Sequence, residues 1–306
     1  MDGALRILFL APHPFYQERG TPIAVDLALR VLSSLGHEVR VLTYPEGEDR
    51  AYPGVRIERV RPLFPVRGIR PGFSWKKLVC DAALGPAAHR VAAAWKPHLT
   101  HAVEEAVFIA RRLQRRYGIP YLYDMDSSMA MQLVEKMPWL RPVAGLFRRL
   151  EAGAAREARA VIPVCPALAA RAAEYGARRI CLLTDVSLLE ASPPQGPGGG
   201  LKEETGLRGF AFLYIGNLEA YQGIDLLLEA FALAAGRNPD LVLFVVGGPP
   251  SAARHYEARA RELGIETRVR FPGPRPLSEM GALFQGADAL VSPRIRGVNT
   301  PMQIYS

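Results

Sequence analysis

The chain has 306 residues, 49% of them hydrophobic and 22% charged, with a formal net charge of +8. That is an ordinary soluble composition with enough apolar material for about two packed domains, and its excess of cations favours anionic partners without choosing among nucleotide, lipid and nucleic acid. Cys80, Cys165 and Cys181 form no close pair and no metal-ligand spacing, which argues against a disulfide framework or zinc site and predicts three small core residues in a reducing compartment.

The N-terminal "MDGAL" runs straight into a strand without the segments of a signal peptide, and no apolar run approaches the ~18 residues of a membrane span, so a cytoplasmic protein is predicted. "LRILFLAP" (5–12) reads as a strand. "TPIAVDLALRVLSSLG" (21–36) reads as a helix, with Ile23, Leu27, Val31 and Leu35 at i,i+4 spacing, Pro22 near its start and Gly36 at its end. "HEVRVLTY" (37–44) returns as a strand, closing a β-loop-α-β unit. Further strands are predicted at 98–103, 119–126, 160–165 and 179–184, with a helix "EAVFIARRLQRRYG" (105–118) between the first two.

"ASPPQGPGGG" (191–200) has no apolar periodicity and reads as a linker, giving domains 1–190 and 201–306. Beyond it, strands are predicted at 211–216, 241–248, 269–273 and 289–293, and helices at 224–236, 252–264 and 277–287. Strands alternate with helices throughout, so the fold class is α/β, with two Rossmann-like parallel-sheet domains. The chain stops at "NTPMQIYS", where a helix is beginning, and the second domain is expected to be incomplete.

Two junctions invite a ligand. In "FLYIGNLEAYQGIDLLLEAF" (212–231) a strand turns at Gly216 and a helix opens at Gly223, a geometry that presents backbone N–H groups and a helix dipole to a phosphate, yet the loop holds neither lysine nor arginine. Asn217 and Gln222 are its polar side chains, each readable as a ligand contact or as a turn or solvated loop residue. Arg294 and Arg296 follow the last strand and are candidates for the missing charge. In the first half, Gly20 in "ERGTPIA" permits close backbone approach or a tight turn, Arg19 meets a phosphate or solvent, and His13 lies between prolines. His101, Glu104 and Glu105 follow a strand end, where the carboxylates either perturb one another or cap a helix; Asp126 follows the next strand, with Asp124 beside it. Neither "PHPFYQERG" nor "NLEAYQG" is a G-x-G-x-x-G fingerprint, which leaves a dinucleotide oxidoreductase weakly supported.

The ordered set "GHEVRVLT", "YIGNLEAYQGIDLLLEAF", "VVGG", "RVRFPG" and "ADALVSPR...NTPMQIY" resembles GT-B glycosyltransferases of the retaining family 4 over nearly the whole chain. The resemblance implies two domains facing across a cleft, a nucleotide-diphosphate sugar held by the second and a glycan or lipid-linked acceptor by the first. It implies no metal and no other cofactor. The leaving phosphate would help deprotonate the acceptor, with Glu104, Glu105 and Asp126 on the catalytic side, His13, Arg19 and His101 on the acceptor side, and Gly20, Gly216, Asn217, Gln222, Gly223 and Arg294 around the donor.

This sequence departs from the family at several of these places. Asn217 and Gln222 replace an arginine and a lysine, and Val103 and Asp126 replace histidines. Val298 and Ser306 stand for two glutamates, while Asn299, Thr300 and Pro301 stand for glycines and still suit a helix N-terminus, where Asn299 and Thr300 either bind the donor's phosphate or only cap the helix. These losses raise the alternative of a degenerate GT-B-like protein that binds nucleotide or glycan without turnover. For a lipid-linked acceptor, the stretch 55–77 gathers Arg56, Arg59, Arg61, Arg67, Arg70, Lys76 and Lys77 with Phe64, Phe73 and Trp75, which docks on an anionic bilayer or forms a solvated loop. No nucleic-acid motif accompanies these cations.

Overall fold

Leu8, Phe9, Leu10 and Ala11 have no exposed surface, and their strand, β1 (Arg6–Ala11), is an interior one paired on both edges. The computed structural model describes residues 3–17, 20–69, 74–130, 138–186 and 200–294, and the chain divides into two units, Met1–Asp185 and Val186–Ser306. The predicted linker, apart from Gly200, lies outside the described residues.

In the first unit β1 is joined by β2 (Glu38–Thr43), β3 (Val55–Arg59), β4 (Leu99–Val103), β5 (Tyr121–Met125) and β6 (Ala160–Pro163) in the order β3-β2-β1-β4-β5-β6. All pairs are parallel. The crossovers are α1 (Gly20–Ser34) from β1 to β2, α2 (Trp75–Trp95) from β3 to β4, α3 (Val107–Tyr117) from β4 to β5 and α4 (Ala144–Glu157) from β5 to β6; α5 (Pro166–Glu174) follows β6. Strand order reverses between β1 and β4, the topological switch where sheets of this kind bind ligands beyond their strand ends. Leu10 lies level with both Leu42 and Ala102, so the loops after β1 and β4 open on one edge.

The second unit orders its strands β10-β7-β8-β9, with β7 (Phe210–Ile215), β8 (Leu241–Val246), β9 (Val269–Gly273) and β10 (Ala289–Leu290), again all parallel. Its helices are α6 (Leu201–Thr205), α7 (Ile224–Arg237), α8 (Pro250–Glu262) and α9 (Met280–Gln285). Leu228 and Phe231 of α7 and Tyr256 of α8 close one face over Leu243 and Val245, while Leu201 and Leu283 pack with Leu213 and Phe244 on the other.

Several expectations are corrected. The buried face of α1 is Pro22, Val25, Asp26 and Leu29, whereas Val31 and Leu35 are exposed. Steps of four residues advance about 40° beyond a full turn, so three of them carry a stripe that starts at Ile23 well off the core. Residues 179–184 make ladder bonds to β6, from Cys181 N to Val161 O and from Leu183 N to Pro163 O, but form only one bridge, at Ile180. Beside a four-residue edge strand they gain no second layer, and Cys181 is exposed; Cys165 is half-buried and only Cys80 is in the core. Strand pairing at 289–293 is limited to two residues, and the helix read at 277–287 is a 3-10 turn, Leu277–Glu279, followed by α9. Among the described residues no helix is long and apolar enough to cross a membrane.

Candidate functional site

At the carboxyl edge of the first sheet, the chain leaves β4 through a 3-10 turn, Glu104–Ala106, in which Glu104 adopts φ 47°, a left-handed conformation costly for a side chain with a Cβ. Ser127 Oγ donates to Glu104 Oε1 at 3.0 Å, and Lys77 Nζ lies 3.9 Å from Glu104 Oε2 and forms a closer ion pair with Glu105. Lys77 reaches in from the first turn of α2, whose start is fixed by Ser74 Oγ accepting from Lys77 N. Tyr44, at the end of β2, donates to Asp81 Oδ1 at 2.5 Å. His101 Nε2 is 2.9 Å from Asp124 Oδ2, and its ring stacks on Phe9 at 4.2 Å between centroids. Thr21, on the first turn of α1, hydrogen-bonds the Asp126 side chain.

Carboxyl groups crowd this edge, and burial resists their ionisation. Asp126 is held well above the usual carboxylate range by burial, then by the charges of Asp124 and Glu104; Asp185 is raised by burial and by Asp124. Burial pushes Glu105 up to about 7, Glu104 and Asp81 adding to the shift while Lys77 opposes it. For Lys77 burial acts to lower the pKa, but Glu105 and Glu104 outweigh it and keep the ammonium charged. The edge can therefore present both a carboxylic acid that donates and a carboxylate that accepts.

A folded state that holds the Glu105 proton more tightly than the unfolded chain is favoured below the ordinary value of 4.5 and loses that advantage as pH rises to about 7. The expected decline is on the order of 2–3 kcal/mol from pH 4.5 to 7, level above it. Glu105→Gln is expected to flatten this part of the profile, leaving the same-signed contribution of Asp126, as measured by urea unfolding at a series of pH values. An unchanged slope would show that Glu105 does not titrate in this window.

The other predicted residues on this side fall as follows. Gly20 starts α1 with ordinary helical backbone and open space where a Cβ would stand, so it makes no tight turn. His13 is fixed by its backbone: N donates to Ala11 O, and O accepts from Thr43 Oγ1 at 2.6 Å. Arg19 lies outside the described residues. Sequence reasoning does not single out Lys77, Thr21, Ser127 or Asp185 as site residues. Lys77 belongs to the basic segment read as facing a membrane but is largely buried in the carboxylate cluster, and Arg59 is likewise committed, its guanidinium bonding Phe15 O, Glu46 O, Glu48 O and Asp49. Leu63 and Phe64 remain exposed beside Arg61 and Arg67.

In the second unit, Gly216 N donates to Val246 O and Gly247 N to Gly273 O, bringing the ends of three strands into register. Gly247 has φ 118°, and a Cβ there would stand 2.0 Å from Gly216 O; at Gly248, with φ 70°, it would strike Leu218. Gly223, at φ 76°, caps α7 without a side chain over its first N–H groups, leaving a helix N-terminus of the kind that holds anions. Asn217 closes its own turn: Oδ1 accepts from Glu219 N at 3.2 Å, Nδ2 donates to Tyr221 Oη at 3.1 Å, and its carbonyl accepts from Tyr214 Oη at 2.7 Å. The Arg294 guanidinium lies 5.2 Å from the Tyr221 ring centroid, which brings a cation to this loop. Tyr221 carries no sequence signal of its own. Gln222 ends the 3-10 turn Ala220–Gln222 and is half-buried. Arg296, Asn299 and Thr300 lie outside the described residues.

Residues 20–183 match the glycosyl transferase 4-like domain, and residues 202–302 match the glycosyl transferases group 1 family. The chain therefore belongs to glycosyltransferase family 4, with the α/β fold of GT-B enzymes. It is 32% identical over 208 residues to D-inositol 3-phosphate glycosyltransferase of Thermomonospora curvata, a match covering 59% of this chain and 46% of that protein. Other curated relatives are matched over about a fifth of their length, so the chain spans less than half the length of these curated relatives. Among solved structures it resembles sucrose-phosphate synthase of Thermosynechococcus elongatus (TM-score 0.77, 19% identity, 96% of this chain and 76% of that one). It also resembles the catalytic domain of starch synthase IV of Arabidopsis thaliana, bound to ADP and acarbose (TM-score 0.71, 14% identity, 98% and 80%).

Proposed function

We propose that the protein is a retaining glycosyltransferase that moves a sugar from a nucleotide-diphosphate donor to a glycan or lipid-linked acceptor on the cytoplasmic side of a membrane. The observation that carries this is the opening of α7 at Gly223 beside glycine-lined strand ends, with Arg294 over Tyr221 supplying a cation to a loop that has no lysine or arginine. The ADP held by the starch synthase, which shares the fold, supports a nucleotide donor. In this reading backbone N–H groups and Arg294 stabilise the departing diphosphate, Asp126 donates a hydrogen bond to the acceptor, and Glu104 orients its hydroxyl for attack on the face that the phosphate leaves. The exposed Leu63–Phe64 tip, with Arg61 and Arg67, meets anionic lipid.

Titration with UDP and ADP tests the donor side, and release of nucleoside diphosphate over time tests turnover. Arg294→Ala is expected to weaken nucleoside diphosphate binding about tenfold, the size of one lost charge-assisted contact. Unchanged affinity would remove Arg294 from the donor site. Because both polar ends of Asn217 are used within the loop, a binding protein without turnover is the competing reading, and tight binding with no diphosphate release would select it.

A further inference from the structure

Helix α4 is built against the usual rule for an amphipathic helix. Its buried face is Glu151, Gly153, Ala154 and Ala155, whereas its two leucines face outward and Phe147 is half-buried. Leu146 is 56% and Leu150 42% exposed, and the 3-10 turn Pro138–Val143 that leads into the helix adds Trp139 at 73% and Val143 at 41%. These four follow one another at spacings of four, three and four residues, which sets Leu146 and Leu150 one turn apart on the helix and continues the apolar surface through Val143 to Trp139. Every charged residue from 138 to 149 is an arginine, namely Arg141, Arg148 and Arg149, and all three are exposed. Among the described residues the nearest acids along the chain do not soften that charge: Glu151 is fully buried under four hydrogen bonds, and Glu157 is occupied by Arg111 and Arg115.

We infer that this arginine-flanked apolar ledge is a docking surface for an anionic lipid bilayer. Charge chooses the occupant. A second copy laid on the ledge would bring three arginines against three arginines, while a bilayer offers hydrocarbon for the leucines, an interfacial layer for Trp139 and anionic headgroups for the guanidinium groups. Topology then gives the ledge a use. α2, α3 and α4 are crossovers of one sense and run antiparallel to the strands, so their N-terminal ends share the edge that carries Glu104, Asp124 and Asp126. The ledge enters α4 at that end, beside the loop that follows β5, whose Ser128 and Met129 bond Glu151 of α4. A bilayer seated there would deliver a membrane-embedded acceptor to the carboxylate edge. The docking itself does not depend on the transfer reaction, so its failure leaves the proposed activity standing.

The test is co-sedimentation of the purified chain with vesicles of phosphatidylcholine alone and with vesicles half phosphatidylglycerol. Binding is expected only to the anionic vesicles and is expected to weaken with salt. The combined substitution Arg141→Ala, Arg148→Ala, Arg149→Ala should lower the partition coefficient at least tenfold, and Leu146→Ser with Leu150→Ser should do the same; both sets of changes lie on exposed side chains, and unchanged urea-unfolding curves verify that the fold is kept. Leu63→Ser with Phe64→Ser serves as the comparison at the other exposed apolar pair. Three outcomes overturn the inference: no binding to anionic vesicles, binding lost only in the Leu63/Phe64 protein, or a concentration-dependent dimer that the ledge substitutions abolish.

Discussion

Glu151→Ala is expected to destabilise the first unit by about 4 kcal/mol, with several hydrogen bonds to a charged acceptor lost and their donors left buried. Glu151 has no exposed surface and accepts from Tyr123 Oη at 3.2 Å, Ser128 Oγ at 3.0 Å, Met129 N at 3.0 Å and Tyr175 Oη at 2.9 Å. Those donors come from β5, from the loop after it and from the end of α5, so one carboxylate holds three segments to α4. Glu151→Gln should cost much less. An amide oxygen can still accept from Met129 N, and the hydroxyls of Ser128 and Tyr175 can rotate to accept from the amide nitrogen, which the backbone N–H cannot do. Trp75, Trp95 and Trp139 are the chain's three tryptophans and all belong to the first unit, so fluorescence-monitored urea unfolding reports this unit alone. Equal midpoints for the Ala and Gln proteins would mean that the network is not what holds these segments. The consequence reaches function through Ser127 and Asp126, which sit on the same loop: the Ala protein should also lose the Glu104–Ser127 contact.

A neighbouring ion pair behaves with opposite pH sense. Hydrogen bonds from Arg111 and then Arg115 hold the Glu157 carboxyl down at about 2, so its contribution is complete above the ordinary value of 4.5 and fades as pH falls towards 2. Glu157 is partly exposed, which keeps that contribution small. Raised carboxyls at the site edge and a lowered one on the helical layer therefore give the first unit a stability optimum on the acid side of neutrality.

The strands other than β3 were legible in the sequence because each is a short apolar run bounded by glycine, proline or a charged turn; β9 is found at the residues predicted, 269–273. Five elements were not: β3, α2, α4, α5 and the short α6. β3 begins "VRIER", in which arginines and a glutamate surround one isoleucine and mask an ordinary edge strand as part of a basic segment. α2 carries Gly85 and Pro86 in its interior and draws its buried face largely from alanine, leucine and cysteine, so the helical period is faint. α4 reverses the usual pattern, hiding a glutamate and small residues while exposing leucines. The site shows the same division. Glu104, Glu105 and Asp126 could be chosen because each lies just after a strand end, and His101 because it stands two residues before one. Their partners could not: Lys77 and Thr21 lie tens of residues away in sequence and arrive through sheet order, which a single sequence does not display. Asn217 illustrates the limit at short range, where a residue that suits a phosphate also suits the Asx turn it makes with Glu219 N.

Gly247→Ala is expected to destabilise the second unit by about 3 kcal/mol, since it combines a left-handed φ with a backbone clash at the donor-side strand ends. At φ 118° an alanine is strained whatever the space, and its Cβ would stand 2.0 Å from Gly216 O, a backbone atom that cannot rotate away. Relief requires β7 and β8 to part at their ends, and the movement passes along 216–223 to the first turn of α7. Nucleoside diphosphate affinity should therefore fall at least tenfold together with stability. Gly236→Ala provides the contrast: this glycine lies near the end of α7 with nothing within 4 Å of the place a Cβ would occupy, so the same methyl group should leave stability level or raise it by a few tenths of a kcal/mol. Calorimetry separates the two, because unfolding of the second unit proceeds without a tryptophan signal. If Gly247→Ala binds UDP or ADP as tightly as the parent, the strand ends between Gly216 and Gly273 do not form the phosphate socket, and the donor must be sought elsewhere in the chain.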